Sequence, residues 1–219
     1  MSTTCKNLKK LHMRKCTGFD DFCCQALSKL VQRFRKLEYV DLSGTQSFSD
    51  EGALVFLNSG PNIFVHLNFT GCRNMTSLAM SAFRNKMSVL QNLEINNMLI
   101  SQSSFEFITE GCRWLKSINL SRSHEFDDEA LLLLGKRLPF LQRLNMATCV
   151  KITDIGIINY FENTEAKLLA LDVSGCMHCG PPTGFAISTR ASELLELRMN
   201  GLAMLTLSLI HISEPTRPY

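Results

Sequence analysis

One short segment of the sequence has the residue types of a metal or redox site. Cys176, Met177, His178 and Cys179 are consecutive, and a Cys-x-x-Cys pair beside a histidine can bind zinc or cycle between dithiol and disulfide. A zinc site of this kind needs four ligands, and the sequence contains no second Cys-x-x-Cys pair. We therefore expect these cysteines to be structural rather than metal-binding.

Other catalytic signals are also missing from the sequence. There is no phosphate-binding glycine loop, no Gly-x-Ser-x-Gly segment and no His-Glu-x-x-His segment. The acidic pairs Asp20-Asp21 and Asp127-Asp128 recur at the same offset from the neighbouring apolar pattern, which favours helix capping over acid–base catalysis. The sequence predicts a chain that is not an enzyme and that carries no cofactor and no metal.

The elements that position these residues follow an internal repeat. An apolar segment of the form Leu-x-x-Leu-x-Leu, with other apolar residues substituting, occurs eight times at intervals of roughly 26 residues. Each copy predicts a short strand, a turn, a capped helix and a return. One unit cannot bury its apolar side alone, so neighbours must stack. The segments begin at Leu8, Leu37, Phe64, Leu90, Leu115, Leu141, Leu168 and Leu194.

A second column of residues lies three positions after the last apolar residue of each segment. Half of its members are cysteines, and a small side chain there is suited to donate a weak hydrogen bond to the backbone of the turn. This column also explains Cys176 without a metal. The cysteines of this turn column are Cys16, Cys72, Cys149 and Cys176.

The spacing, together with cysteine in the turn, resembles the cysteine-containing leucine-rich repeats of the F-box/leucine-rich-repeat protein family. The stretch 141–156 follows that pattern almost residue for residue. The resemblance implies an α/β leucine-rich-repeat solenoid, a horseshoe with parallel strands on the concave face and helices on the convex face. Repeats three and seven depart from the pattern, and we expect irregular turns or shortened helix starts there.

The repeats predict one domain over residues 1–206, with about eight repeats starting near residues 5, 35, 61, 89, 113, 139, 165 and 192. No polar cap precedes the first repeat and the eighth is incomplete, so we expect a domain truncated at both ends. Residues 207–219 resemble a translated sequencing adapter, and we expect a non-native tail there.

The family resemblance implies a protein-binding module, the substrate-recognition part of a Skp–cullin–F-box ubiquitin ligase acting in protein catabolism. Such a fragment would contact the Skp adaptor only through an F-box, which this sequence lacks. The alternative is a structural scaffold subunit of an axonemal dynein regulatory complex, where the partner is a permanent neighbour. The ligase hypothesis predicts a cytoplasmic or nuclear location, and the scaffold hypothesis predicts a ciliary one.

The concave face of the sheet is the predicted binding surface. It comprises three columns of residues, defined relative to the middle apolar residue of each Leu-x-x-Leu-x-Leu segment. They are the residue before it, the residue after it, and the residue three positions after it. Side chains in these columns alternate away from the core. Stacked Asn and Asp residues there either satisfy one another in a ladder or contact a protein partner. The predicted contacts are Tyr39, Asp41, His66, Asn68, Glu94, Asn119, Arg143, Asn145, Asp172 and Arg198. Trp114, the single tryptophan, is expected to be partly buried against a neighbouring repeat.

Composition restricts the partners further. The 219 residues include 23 Lys and Arg against 20 Asp and Glu, a net charge of +3, which gives no electrostatic reason to expect nucleic acid. No apolar run is long enough to span a bilayer, and the first residues do not form a secretory signal. Nine cysteines without such a signal indicate reduced thiols. We expect a monomer that binds protein and neither nucleic acid nor membrane.

Overall fold

The computed structural model describes residues 7–31, 36–59 and 63–202. Strand and helix alternate along this part of the chain. The strands are β1 (Lys10–His12), β2 (Tyr39–Asp41), β3 (His66–Asn68), β4 (Asn92–Glu94), β5 (Ser117–Asn119), β6 (Arg143–Asn145), β7 (Ala170–Asp172) and β8 (Glu196–Arg198). The helices are α1 (Asp21–Val31), α2 (Asp50–Ser59), α3 (Ser77–Met80), α4 (Phe83–Lys86), α5 (Gln102–Gly111), α6 (Asp128–Arg137), α7 (Asp154–Asn163) and α8 (Pro181–Arg190).

The eight strands form one parallel sheet in sequence order. Equivalent residues of successive repeats pair directly, as Tyr39 does with His66 and Leu67 does with Leu93. Parallel strands need a crossover connection, and each repeat supplies one through its helix or helices. The predicted α/β leucine-rich-repeat solenoid is confirmed.

The core lies between the sheet and the row of helices. The last apolar residue of each predicted segment is fully or almost fully buried in the central repeats: Leu42, Phe69, Ile95, Leu120 and Met146. Helix side chains such as Phe56, Phe105 and Leu131 face them and are also buried. Each fully buried side chain of this size stabilises the fold by roughly 1.5–3 kcal/mol. Because the core continues from repeat to repeat, no repeat buries its apolar side alone.

The third repeat is irregular, but not at its helix start as expected, because α3 begins at Ser77, five positions after Cys72. In the third repeat the helix is divided into α3 and α4, each of four residues. In the seventh repeat α8 has ten residues and begins five positions after Cys176, as α7 begins five positions after Cys149. The expectation of a shortened start is wrong there, because proline is favourable in the first helical turn and Pro181 occupies it.

The residue before the turn column has a left-handed backbone conformation in all eight repeats. Four of these residues are glycines, with φ between 66° and 72°. The other four have side chains and φ between 52° and 60°: Lys15, Asn97, Arg122 and Thr148. Glycine adopts this conformation without steric cost, whereas a β-branched residue such as Thr148 does so only under constraint from its surroundings.

The turn cysteines connect neighbouring repeats. The thiol of Cys72 donates to the carbonyl oxygen of Leu42 at 3.1 Å, and that of Cys149 donates to Leu120 at 3.2 Å. Cys176 donates in the same way to Met146 at 3.2 Å. Each acceptor is the last core residue of the preceding repeat, so the thiols bond across the repeat boundary. In the first repeat, the Cys16 thiol lies 3.7 Å from a carbonyl oxygen of its own turn.

Aspartates at the helix starts also bond across repeat boundaries. The first residue of the pair Asp127-Asp128 caps its own helix, accepting from the Ala130 amide at 2.9 Å. The second, Asp128, accepts from the amide and the hydroxyl of Thr153 at 2.9 and 2.6 Å. Thr153 is the N-cap of α7. The acidic pairs therefore cap helices as predicted, but the second carboxylate caps the helix of the next repeat.

Among the described residues, no helix is long and apolar enough to cross a membrane. The predicted adapter-derived tail, residues 207–219, lies outside the described residues.

Trp114 is 55% exposed and stacks on Phe140 with ring centroids 4.6 Å apart. The expectation that Trp114 is partly buried against a neighbouring repeat is confirmed, because Phe140 of the next repeat covers one face of its ring.

Candidate functional site

The ten predicted contact residues all lie on the concave face. Each occupies the first or the third position of a strand, and the middle position of β2 to β7 points into the core. Since the strands pair in register, residues distant in sequence become neighbours. The structure therefore brings the predicted residues together on one surface, although their exposure varies.

The N-terminal part of the concave face carries a row of rings. The rings of Tyr39 and His66 are nearly parallel, with centroids 4.2 Å apart. His12 lies on the other side of Tyr39 at 4.7 Å, and the Lys10 ammonium lies 5.8 Å from the centre of the Tyr39 ring. Parallel strands about 4.8 Å apart impose this spacing. The row combines an apolar surface with donors and positive charge, which suits it to contact a protein.

Asp41 lies beneath this row and is fully buried. It accepts a hydrogen bond from the Arg14 guanidinium at 2.5 Å and one from the Ser43 amide at 3.0 Å. Burial alone would raise the pKa of the Asp41 carboxyl, but the bonds from Ser43 and Arg14 outweigh burial and hold that pKa below its usual value. The expectation that the Asp41 side chain faces a partner is therefore corrected: it holds Arg14 in place.

Asn68, His66 and Glu94 form the next polar group. Asn68 is buried and donates from its side-chain nitrogen to Glu94 at 3.1 Å, so it too is an internal residue rather than an exposed contact. The Nε2 atom of His66 lies 3.5 Å from a Glu94 oxygen without the alignment of a hydrogen bond. Burial lowers the pKa of His66 and, together with the charge of Asp41, raises the pKa of Glu94.

The Asn and Asp residues of the third strand position share one local role. Each accepts a hydrogen bond from the amide two residues further on, at 2.9–3.1 Å: Asp41 from Ser43, Asn68 from Thr70, Asn119 from Ser121, Asn145 from Ala147 and Asp172 from Ser174. Such side-chain turns end the strand. Among the described residues, the five do not bond to one another, so the hypothesis of a mutual ladder is wrong.

The C-terminal part of the concave face forms a shallow hollow of about 290 Å³. Arg143 and Asp172 line it, and the Arg198 guanidinium is paired with Glu196 at 2.7 Å. Its walls combine aliphatic side chains such as Leu144 and Leu171 with polar groups of both signs of charge. Glu196 belongs to the same column as Tyr39 and Arg143, and that position alone would have identified it as a further candidate contact.

Cys176 and Cys179 are fully buried beneath the turn of the seventh repeat. The Cys179 thiol lies 3.7 Å from the carbonyl oxygen of Ile152, and its pKa is raised by its hydrogen bond with Cys176 and by burial. His178 is on the surface. Within the described ranges, no three His, Cys, Asp or Glu residues converge as metal ligands. The two thiols form hydrogen bonds between repeats. A thiol with a raised pKa is also a poor nucleophile.

Comparisons with known proteins agree with the fold. Residues 35–57 match the family described as Leucine Rich repeat. A Caenorhabditis elegans protein named "Putative RNA-binding protein EEED8.10" is 23% identical over 157 residues, covering 70% of this chain. The chain spans only 21% of that relative's length.

Two solved structures match this chain. The TLR13 chain in its complex with ssRNA13 superposes over 93% of this chain with a TM-score of 0.60 and 13% identity, and the chain spans 31% of its length. The complex of Rad7 and Elc1 from yeast gives a TM-score of 0.37 at 15% identity, over 89% of this chain and 73% of that one. The first supports a leucine-rich-repeat solenoid.

Proposed function

We propose that this chain is a protein-binding repeat module and that the concave face receives the partner. The observation that carries the proposal is the make-up of that face, a pre-ordered row of Tyr39, His66 and His12 beside a hollow of mixed charge. Tyr and Arg are prominent among residues that dominate binding energy. Residues fixed by stacking and by hydrogen bonds lose little freedom on binding, which favours affinity.

The charge of the concave face favours a protein over a nucleic acid. Its three columns hold four lysines or arginines and four carboxylates, so the formal charges cancel. They are Lys10, Arg14, Arg143 and Arg198 against Asp41, Glu94, Asp172 and Glu196. Nucleic-acid surfaces need a net positive stripe to contact phosphates. The relative's name is the reason to include RNA in the test, and a neutral face predicts no strong RNA binding there.

We further propose that the bound protein is a substrate of a ubiquitin ligase of the Skp–cullin–F-box type. The support is the resemblance of residues 141–156 to the cysteine-containing repeats of F-box proteins. In that arrangement the solenoid selects the substrate, and a segment outside it joins the ligase. Full-length protein is expected to co-purify with Skp and cullin subunits, whereas residues 1–206 alone are expected to bind the substrate only. Failure of the full-length protein to recover Skp would contradict the ligase assignment but leave the binding module standing.

The experiment for the binding module compares quantitative affinity capture by three forms of the chain. The test variant combines Tyr39→Ala, His66→Ala and Arg143→Ala. The matched control combines Lys29→Ala and Glu106→Ala on exposed helix surface. Loss of the ring stack costs roughly 0.5–1.5 kcal/mol of stability, so all three forms are expected to fold.

Proteins captured by wild type and the control, but lost with the test variant, are the expected result. Capture that persists in the test variant would overturn the concave-face proposal. Titration of wild type with a single-stranded RNA pool provides the competing outcome. RNA binding that the test variant abolishes, without loss of any captured protein, would replace the protein partner with a nucleic acid.

A further inference from the structure

A second surface patch lies at the edge where the strands begin. The residue immediately before each Leu-x-x-Leu-x-Leu segment is apolar in four successive repeats: Ile63, Val89, Trp114 and Phe140. In the repeats on either side, this position holds Asn7, Lys36, Lys167 and Glu193. Val89, Trp114 and Phe140 are 41%, 55% and 45% exposed, and we call these three residues the strand-start patch. A contiguous exposed apolar patch on a soluble domain indicates an interaction site more often than scattered single residues do.

The aromatic pair of the patch is held rigid and borders two hollows. The rings of Trp114 and Phe140 stack at 4.6 Å with an interplanar angle of 11°. One hollow, of about 430 Å³, continues from the pair to Val89 and Gln91. The other, of about 770 Å³, extends from the pair toward the ends of α5 and α6. The first is suited to an apolar side chain, since Val89 and both rings line it.

The charges around the patch are mostly positive. Arg113 and Lys136 line the larger hollow, and Lys116 lines the smaller one. Among the described residues, none of these three cations is paired with a carboxylate. The one acid in the larger hollow, Glu110, is already bound by Arg84 and Arg137, at 2.5 and 3.7 Å. A partner with carboxylates would therefore find unpaired cations on both sides of the aromatic pair.

We propose that the strand-start patch docks an acidic protein segment that places one apolar side chain beside Val89 and the aromatic pair. The carboxylates of that segment pair with Arg113, Lys116 and Lys136. This surface is separate from the concave face, so the protein has two binding surfaces and can hold two partners, or two parts of one partner, together.

The surface is less suited to a single-stranded nucleic acid. Bases bind by stacking on open aromatic faces, and Trp114 and Phe140 each use one face on the other. The neighbouring lining residues, Val89 and Pro139, are aliphatic. An aliphatic wall contacts a protein side chain well and offers a base no aromatic stacking.

The test begins with a random peptide library displayed on phage and selected on the full chain. Phage that bind the Trp114→Ala variant are removed beforehand. The enriched peptides are expected to be acidic with an apolar residue. The best peptide is then synthesised and titrated into the protein while the fluorescence of Trp114, the single tryptophan, is recorded. Burial of the exposed indole is expected to shift its emission to shorter wavelength.

Charge reversal separates the proposal from non-specific binding. Arg113→Glu combined with Lys136→Glu is expected to weaken the peptide about tenfold or more, which corresponds to roughly 1.4 kcal/mol. Arg73→Glu, an exposed cation at another edge, is expected to leave binding unchanged. Three results would overturn the proposal: enrichment of neutral or basic peptides, no enrichment beyond the Trp114→Ala background, and equal binding by the charge-reversed protein. A poly-uridine oligonucleotide that shifts the emission when no acidic peptide does would instead identify a nucleic-acid surface.

Discussion

The bond from Asp128 to the next repeat makes a specific prediction about Gly156. A Cβ atom added at Gly156 would lie 1.9 Å from the Asp128 Oδ1 atom, which is far below van der Waals contact. Glycine at this position of α7 therefore leaves the space in which the carboxylate reaches Thr153. An alanine there must displace Asp128 and break both of its bonds to Thr153.

Each single substitution removes the same interaction. Asp128→Ala leaves the Thr153 amide and hydroxyl without their acceptor, and loss of two charge-assisted bonds at a helix start costs about 2–3 kcal/mol. Gly156→Ala displaces the carboxylate and incurs a similar loss, offset by about 1 kcal/mol of improved helix propensity. In the double variant the obstructing carboxylate is absent, but the Cβ atoms of residues 128 and 156 would still lie 2.9 Å apart, so the two helices must shift slightly. We expect the gain in helix propensity to offset that shift, which leaves the double variant about as stable as Asp128→Ala alone.

The assay is urea denaturation of the four proteins of this double-mutant cycle, followed by circular dichroism. The expected coupling energy is about 1–2 kcal/mol in favour of the double variant. Gly18→Ala is the matched control, because a Cβ there meets no atom within 4 Å and its effect should add to that of Asp128→Ala. Additivity of the Asp128 and Gly156 substitutions to within about 0.5 kcal/mol would refute the proposed close contact.

Three further predictions concern the turns, the cysteine thiols and the half-buried imidazole of His66. Gly71→Ala is expected to lower the free energy of unfolding by about 1 kcal/mol, because of the left-handed backbone at that position. Gly175→Ala is expected to lower it by about 2 kcal/mol, because the added Cβ would also lie 2.8 Å from a neighbouring methyl group. Equal losses for the two variants on urea denaturation would contradict this prediction. Burial raises the pKa of Cys72 to about 11 and that of Cys149 to about 12, so mass spectrometry after iodoacetamide treatment at mildly alkaline pH should find both unmodified until the protein unfolds; rapid native alkylation would argue against their burial. Burial lowers the pKa of His66, so below a pH of about 6.5 the unfolded chain binds more protons than the folded one. The free energy of unfolding is therefore expected to fall as the pH is lowered through that value. A His66→Gln variant with the same pH dependence of stability would show that His66 is not responsible.

Much of the fold was predictable because the repeat fixes the register. The predicted segments place Leu42, Phe69 and Leu120 in one buried column, and the structure has them there. The local sequence pattern was sufficient to place this column, since each apolar segment forms a strand and each strand pairs with the next strand along the chain. The departures from the pattern marked the third repeat as irregular but did not predict its divided helix. They gave the wrong result at Pro181, where the unusual residue is itself a good helix start.

Interactions between repeats were not predictable from the same pattern. Sequence spacing identifies Asp128 as a capping residue but does not say which helix it caps, because the distance to Thr153 depends on how closely the repeats stack. The cysteine thiols were expected to bond within their turns, and the stacking instead presents the carbonyl oxygens of the preceding repeat to them. The left-handed position was detectable only where it is occupied by glycine.

The candidate site was predictable as a surface but not residue by residue. Alternation along the strands places all ten predicted contacts on one face. It does not reveal that Arg14 covers Asp41 or that Asn68 is buried beneath its neighbours, because exposure depends on the size and conformation of adjacent side chains. The partial burial of Trp114 was predicted, but the pattern did not reveal that the residue stacked on it is Phe140 of the next repeat.

Site-specific photo-crosslinking to a captured partner tests the binding role of the concave face most directly. A benzophenone side chain is placed at Ser117, in the hollow of the concave face, and separately at Glu106, on the exposed surface of the adjacent helix α5. We predict that the partner crosslinks from position 117 and not from position 106. Crosslinks from position 106 alone, or equal yields from both, would contradict the assignment of the concave face as the binding surface.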